Sequence, residues 1–100
     1  MNERRTETRQ PVRLLVQHQS STDDTFDIDY ASELSRGGLF INTRKSVAKH
    51  ATLHVQFAPK KDSQLVSAFC RVTHVGPQGI GAEFVCLDAE SERLIDAALA

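Results

Sequence analysis

Short runs in which apolar and polar residues alternate constrain the fold of this chain more than any other feature. The clearest run is 52–57, where Leu53, Val55 and Phe57 alternate with polar residues. Because the side chains of a β-strand point alternately to its two faces, this period of two predicts a strand with one buried face. Turn-forming segments separate the runs. Further strands are predicted over 12–17, 26–30, 39–43, 64–75 and 80–85.

The period changes at the end of the chain. Leu94, Ile95 and Leu99 lie on one stripe at helical spacing, which predicts a helix over about 88–99 with Asp88 as its N-cap. Six short strands and a terminal helix predict an all-β dominated fold. The expected architecture is a six-stranded antiparallel β-barrel with a C-terminal α-helix, because closure removes the exposed edges that would otherwise aggregate.

Length and composition limit the possible organisation and function. A chain of 100 residues is long enough for one domain, so we expect a single barrel over 11–100 and a flexible, arginine-containing arm over 1–10. The formal net charge is −1, whereas general binders of nucleic acid usually have a basic excess, so we expect no DNA or RNA partner. The sequence has no long apolar segment and no apolar leader. We therefore expect no membrane insertion and a cytoplasmic location.

Cysteines and histidines give no sign of catalysis or metal binding. Cys70 and Cys86 fall within predicted strands and form no CxxC pair, so we expect buried, reduced thiols. No cysteine or carboxylate cluster completes a metal site around the histidines, and no nucleophile elbow is present. We therefore expect no enzymatic activity, no metal and no cofactor. Scattered surface positions are expected for His18, His50, His54 and His74.

A polar corner with the sequence ELSRGG, at 33–38, separates two predicted strands. It places a carboxylate, a hydroxyl and two adjacent glycines together, and glycines permit close approach of the backbone to another group. Polar side chains beside exposed backbone amides suit an anion. The first thirteen residues include four arginines, and guanidinium groups grip phosphates bidentately and stack on flat bases.

Together these two segments resemble the signature of the PilZ family, bacterial receptors for the dinucleotide cyclic di-GMP. That signature is RxxxR before the first strand, followed further along the chain by [D/N]xSxxG. Arg5 and Arg9 match the first motif. Ser35 and Gly38 match the second, and Glu33 stands where the family has Asp or Asn. The glycine-led last strand is also similar to that of the family, so the resemblance covers most of the chain.

The resemblance implies a non-enzymatic receptor whose arginine arm is drawn over the corner by the ligand. The ordered arm would change the surface offered to an unidentified protein partner, with motility or biofilm formation as the regulated process. It also implies that Glu33 meets a guanine edge, that Ser35 donates to a phosphate and that Gly38 keeps the backbone clear of the ligand. The predicted ligand-binding residues are Arg4, Arg5, Arg9, Glu33, Ser35, Gly37 and Gly38.

Two alternatives remain open from the sequence. In the first, the chain is a PilZ-like protein-interaction adaptor that has lost ligand binding, because Glu33 departs from the family pattern. In the second, it is a small barrel that binds single-stranded nucleic acid. Aromatic residues make up only 6% of the chain and tryptophan is absent, which disfavours the stacking platforms that such barrels use.

Overall fold

A computed structural model describes residues 9–100, in which six antiparallel strands close into a barrel and one helix follows. This confirms the predicted fold. Strand β1 begins at the last residue of the predicted arm, and the part of the arm before Arg9 lies outside the described residues. The elements are β1 (Gln10–Ser20), β2 (Asp27–Leu34), β3 (Gly38–Asn42), β4 (Thr52–Phe57), β5 (Val66–Gly76), β6 (Gly79–Cys86) and α1 (Ala89–Leu99).

The barrel consists of two three-stranded meanders joined edge to edge. Strands β1, β2 and β3 form one meander, and β4, β5 and β6 form the other. One junction pairs β1 with β4, and the other pairs β3 with β6 from Gly38 opposite Glu83 to Ile41 opposite Ile80. We call the second junction the β3–β6 seam. The predicted candidate residues at 33–38 lie at this seam.

The interior of the barrel is filled by the inward face of each strand. The alternation in β5 is confirmed, because Val66, Ala68, Cys70 and Val72 are all buried. Helix α1 adds Ile95 to the same core, where its side chain is 1% exposed. The helix begins as predicted, with the Asp88 carboxylate accepting a hydrogen bond from the Ser91 amide at 2.8 Å.

The first half of strand β2 reverses the usual arrangement, because its large apolar side chains point outward. Ile28 and Tyr30 are 58% and 42% exposed, whereas Asp29 turns toward the barrel and lies 2.8 Å from His18. The expectation of surface histidines is therefore wrong for His18, which is 1% exposed. His18 lies two residues after Val16 and so shares its inward face. Asp29 provides the partner that a buried polar group requires.

The expectation of two buried thiols is confirmed for Cys70 and wrong for Cys86, which is exposed. Cys86 pairs with Phe69 on β5, and a bulge follows this pair between Phe69 and Cys70. Phe69 is itself 52% exposed on the outer face. Because directly paired residues of a sheet project from the same face, Cys86 is also on the outside of the barrel.

Candidate functional site

A groove of about 830 Å³ lies on the barrel at the β3–β6 seam. Its walls come from the end of β2, from β3, from β5 and β6 with their connecting hairpin, and from Arg9. This volume falls within the range of about 300–1,000 Å³ that is usual for small-molecule sites. Five of the seven predicted ligand-binding residues line it: Arg9, Glu33, Ser35, Gly37 and Gly38. The other two, Arg4 and Arg5, lie outside the described residues.

The turn between β2 and β3 is closed by Ser35. Its backbone amide donates to the Gly38 carbonyl at 2.9 Å, and its hydroxyl oxygen accepts from the amides of Gly37 and Gly38 at 3.1 and 3.2 Å. Ser35 as a whole is only 5% exposed. The hydroxyl hydrogen makes only a long contact, at 3.4 Å, with the Gly38 carbonyl. That weak bond leaves the hydrogen available for a stronger acceptor.

Gly38 is required by the seam itself. A Cβ atom at this position would lie 2.1 Å from the carbonyl oxygen of Ala82 on β6. Beside it, the Phe84 amide donates to the Gly37 carbonyl at 2.8 Å, so the two backbones are in close contact. The sequence predicts close backbone approach at these glycines, and the group approached here is the neighbouring strand.

Arg9 and Glu33 are in direct contact across β1 and β2. Arg9 Nη1 lies 3.3 Å from Glu33 Oε1, and the side chains are 71% and 44% exposed. The register explains the contact. Pro11 pairs with Glu33 and Gln10 with Leu34, and Arg9 lies two residues before Pro11, so Arg9 and Glu33 are diagonal neighbours. An exposed ion pair of this kind is worth about 0–1 kcal/mol, so an incoming anion can displace it.

The opposite wall of the groove comes from residues that the sequence analysis did not select. They belong to the outer faces of β3, β5 and β6 and to the hairpin between β5 and β6. Their alternation was visible in the sequence, but the pairing that brings them beside the corner depends on long-range register. This wall includes Phe40, Asn42, Thr73, His74, Gln78, Gly81 and Glu83.

The charges around the groove are unbalanced. Of the described lining residues, Arg9 alone is an arginine or lysine, whereas Glu33 and Glu83 are carboxylates. Within residues 9–100, no group of three or more histidine, cysteine, aspartate or glutamate side chains is arranged to hold a metal ion. In that same range no helix is long and apolar enough to span a membrane.

The basic loop over 44–49 is not part of the groove. Lys45 bridges Asp23 at 3.0 Å and Asp27 at 2.8 Å, at the opposite end of the β1–β2 pair from Arg9. The Asp27 hydrogen bond raises the pKa of Lys45, and the Lys45 hydrogen bond lowers the pKa of Asp27. The loop is therefore anchored by its own ion pairs.

Comparison with protein families identifies the family to which this fold belongs. The PilZ domain family model matches residues 3–100, which is nearly the whole chain. The chain belongs to the PilZ family. Its PilZ domain therefore includes the groove at the β3–β6 seam and the arginines that precede β1. A search of curated proteins for similar sequences found no match.

Two solved structures have the same fold as this PilZ domain. The Bacillus subtilis inhibitor of motility, MotI/DgrA, superposes with a TM-score of 0.82 at 15% identity over 98% of this chain. The PilZ domain of CeSA from a cellulose-synthesizing bacterium gives 0.70 at 12% identity, covering 89% of this chain and 91% of that one. The present chain spans half the length of the MotI chain. At these identities the likeness concerns the fold.

Proposed function

We propose that this PilZ domain is a non-enzymatic receptor for cyclic di-GMP that passes ligand binding on to a protein partner. PilZ domains are a family of cyclic di-GMP receptors. The observation that carries the proposal is the Arg9–Glu33 contact at 3.3 Å in the wall of an 830 Å³ groove. Two signature positions that are distant in sequence meet there, beside the Ser35 turn.

The charge of the groove explains why the arm is needed. Cyclic di-GMP carries two phosphates, and the described lining opposes them with one arginine and two carboxylates. Further positive charge must come from outside that lining. Arg5 is four residues from Arg9, and four residues of extended chain span at most about 14 Å. Arg5, with Arg4 beside it, is therefore within reach of a ligand in the groove.

Binding on this scheme exchanges one set of contacts for another. The guanidinium of Arg9 leaves Glu33 for a phosphate, Glu33 accepts hydrogen bonds from a guanine edge, and the Ser35 hydroxyl donates to a phosphate instead of the Gly38 carbonyl. The arm then lies over the corner and alters the surface offered to the partner. No bond of the ligand is broken, so the chain acts as a receptor and not as an enzyme.

The direct test is a calorimetric titration of the whole chain with cyclic di-GMP. Loss of a charged hydrogen-bonding partner costs about 1.5–3 kcal/mol, so Arg9→Ala should bind about ten- to a hundredfold more weakly than wild type. Arg44→Ala is the matched control, because Arg44 is exposed on the anchored loop and does not line the groove. Equal affinities for wild type and Arg9→Ala would contradict the proposed site.

The second candidate function is the adaptor that has lost ligand binding. Glu33 supports it, because Glu33 stands where the family signature has Asp or Asn, and its carboxylate is paired with Arg9 when no ligand is bound. If wild type does not bind cyclic di-GMP in the titration and Glu33→Asp does, the adaptor that has lost binding through Glu33 replaces the receptor as the better description of this PilZ domain. If neither binds, Glu33 is not the cause of the loss and the site as described is wrong.

A further inference from the structure

Three residues on neighbouring strands form a row along the floor of the groove. Phe40 on β3 is directly opposite Gly81 on β6, and Gly81 is directly opposite His74 on β5. All three line the groove, and none belongs to the signature motifs. The row continues toward the corner, because Glu33 on β2 is directly opposite Phe40. It therefore crosses the β3–β6 seam from a signature residue to the far wall.

The two rings of this row contact each other across Gly81. The ring centroids of Phe40 and His74 are 6.3 Å apart and their planes are inclined by 41°. A Cβ atom at Gly81 would lie 3.3 Å from the His74 Cβ and 3.9 Å from a ring carbon of Phe40. Any side chain there would press against both residues. The glycine lets the two rings meet in one surface that faces the groove.

We propose that the Phe40–Gly81–His74 row is a stacking seat for a purine base. A flat heteroaromatic ring laid on this surface contacts both side chains from the groove side, and aromatic groups attract each other in offset or inclined arrangements with centroids about 4.5–7 Å apart. Stacking on protein aromatic side chains is a recurrent means of holding nucleic acid bases, and it tolerates different bases because every base has a π face. The ligand class is therefore a nucleotide, and because cyclic di-GMP carries guanines, the base seated here is a purine.

The inference rests on the proposed function and extends it. Cyclic di-GMP has two guanines, and the single carboxylate at Glu33 serves one guanine edge. The second guanine needs a separate place within reach of the same ligand. Because adjacent strands are about 4.8 Å apart, Gly81 lies about 10 Å from Glu33, two strand spacings along the row. The seat would hold the second base by its face while Glu33 reads the first by its edge.

The test compares cyclic di-GMP affinity of wild type, His74→Ala and His74→Phe by calorimetry. Removing the ring should weaken binding by about tenfold, and phenylalanine should restore most of it, since stacking requires a flat ring and not an imidazole. His54→Ala is the matched control. His54 is also packed against a phenylalanine, Phe69, with ring centroids 4.9 Å apart, but neither residue lines the groove.

A spectroscopic measurement separates stacking from a general loss of shape. In proton NMR of the complex, one guanine H8 should move upfield by the ring current in wild type and in His74→Phe, and should return toward its free position in His74→Ala. The stacking seat is supported if wild type and His74→Phe bind more tightly than His74→Ala and both show the upfield shift of guanine H8. Unchanged affinity for His74→Ala, or affinity lost without recovery in His74→Phe, overturns it.

The failure of the seat can be distinguished from the failure of the proposed function. If wild type binds cyclic di-GMP and Arg9→Ala weakens binding while His74→Ala does not, the site stands and only the seat is wrong. If wild type shows no binding, the receptor proposal fails, and the seat that rests on it fails as well.

Discussion

Replacing Gly38 by alanine should destabilise the fold even when no ligand is present. The new Cβ would lie 2.1 Å from the Ala82 carbonyl oxygen, and ordinary contact begins near 3.4 Å, so β3 and β6 must part by at least about 1 Å. Forcing an extra carbon into a packed site costs about 1–3 kcal/mol. The hydrogen bond from the Phe84 amide to the Gly37 carbonyl, now 2.8 Å, would lengthen, at a further cost of about 1 kcal/mol.

The combined cost of about 2–4 kcal/mol is large beside the 5–15 kcal/mol by which domains are usually stable. For a domain of this size each kcal/mol lowers the Tm by about 4–8 °C, so Gly38→Ala should melt at least about 8 °C below wild type. Circular dichroism without ligand measures this. Gly37→Ala is the control for stability, because no such close neighbour of a Cβ at Gly37 is found among residues 9–100.

The result would also show why this signature position is a glycine. If the glycine serves only to admit the ligand, Gly38→Ala should have the Tm of wild type and a lower affinity for the ligand. If the glycine is needed for close packing at the β3–β6 seam, the Tm falls without ligand, and any loss of affinity results from the distorted groove. A Tm within about 2 °C of wild type would refute the reasoning from the Ala82 contact.

Three further outcomes are expected. Glu33→Asp should bind cyclic di-GMP more tightly than wild type, by up to about tenfold, because the shorter carboxylate side chain fits the corner at 33–38. Glu33→Ala should bind no better than wild type, and calorimetric titration measures both affinities. An alkylating reagent should modify Cys86 quickly in the native chain and Cys70 only after unfolding, because burial raises the pKa of the Cys70 thiol to about 12; mass spectrometry identifies the labelled peptide. Hydrogen bonds from Ser91 lower the pKa of Asp88. The ionised Asp88 carboxylate should therefore contribute fully to stability above the unfolded pKa of about 3.9, and this contribution should be lost as the pH falls through the lower folded pKa. Urea unfolding at a series of pH values should show that Asp88→Asn lacks this part of the acid dependence.

The sequence was most informative where structure depends on near neighbours. The alternation around Val55 fixes a strand with one buried face, and the Asp88 cap needs only a residue three positions away. The ELSRGG corner is equally local, since Ser35 bonds to Gly37 and Gly38. These features were predicted because their physical causes lie within a few residues of one another.

The features that were missed depend on partners far away in the chain. Period two states which residues share a face of β2 but not which face is buried, and the choice follows from Asp29 meeting His18 on another strand. In the same way, His74 alternates like any outward residue of β5. Only the long-range pairing of β3 with β6, added to the local β5–β6 hairpin, brings it into line with Phe40.

Because the groove straddles the β3–β6 seam, it exists only after the two meanders have joined. Pairings between residues so distant in sequence make barrels slow to form. The transition state for folding therefore does not require the completed groove. A ligand that needs both walls of the groove binds only the closed barrel. Cyclic di-GMP should accordingly lengthen the lifetime of the native state by slowing unfolding of the barrel, with little effect on the rate of folding. The second messenger would then regulate the kinetic persistence of this small barrel as well as the surface that it displays.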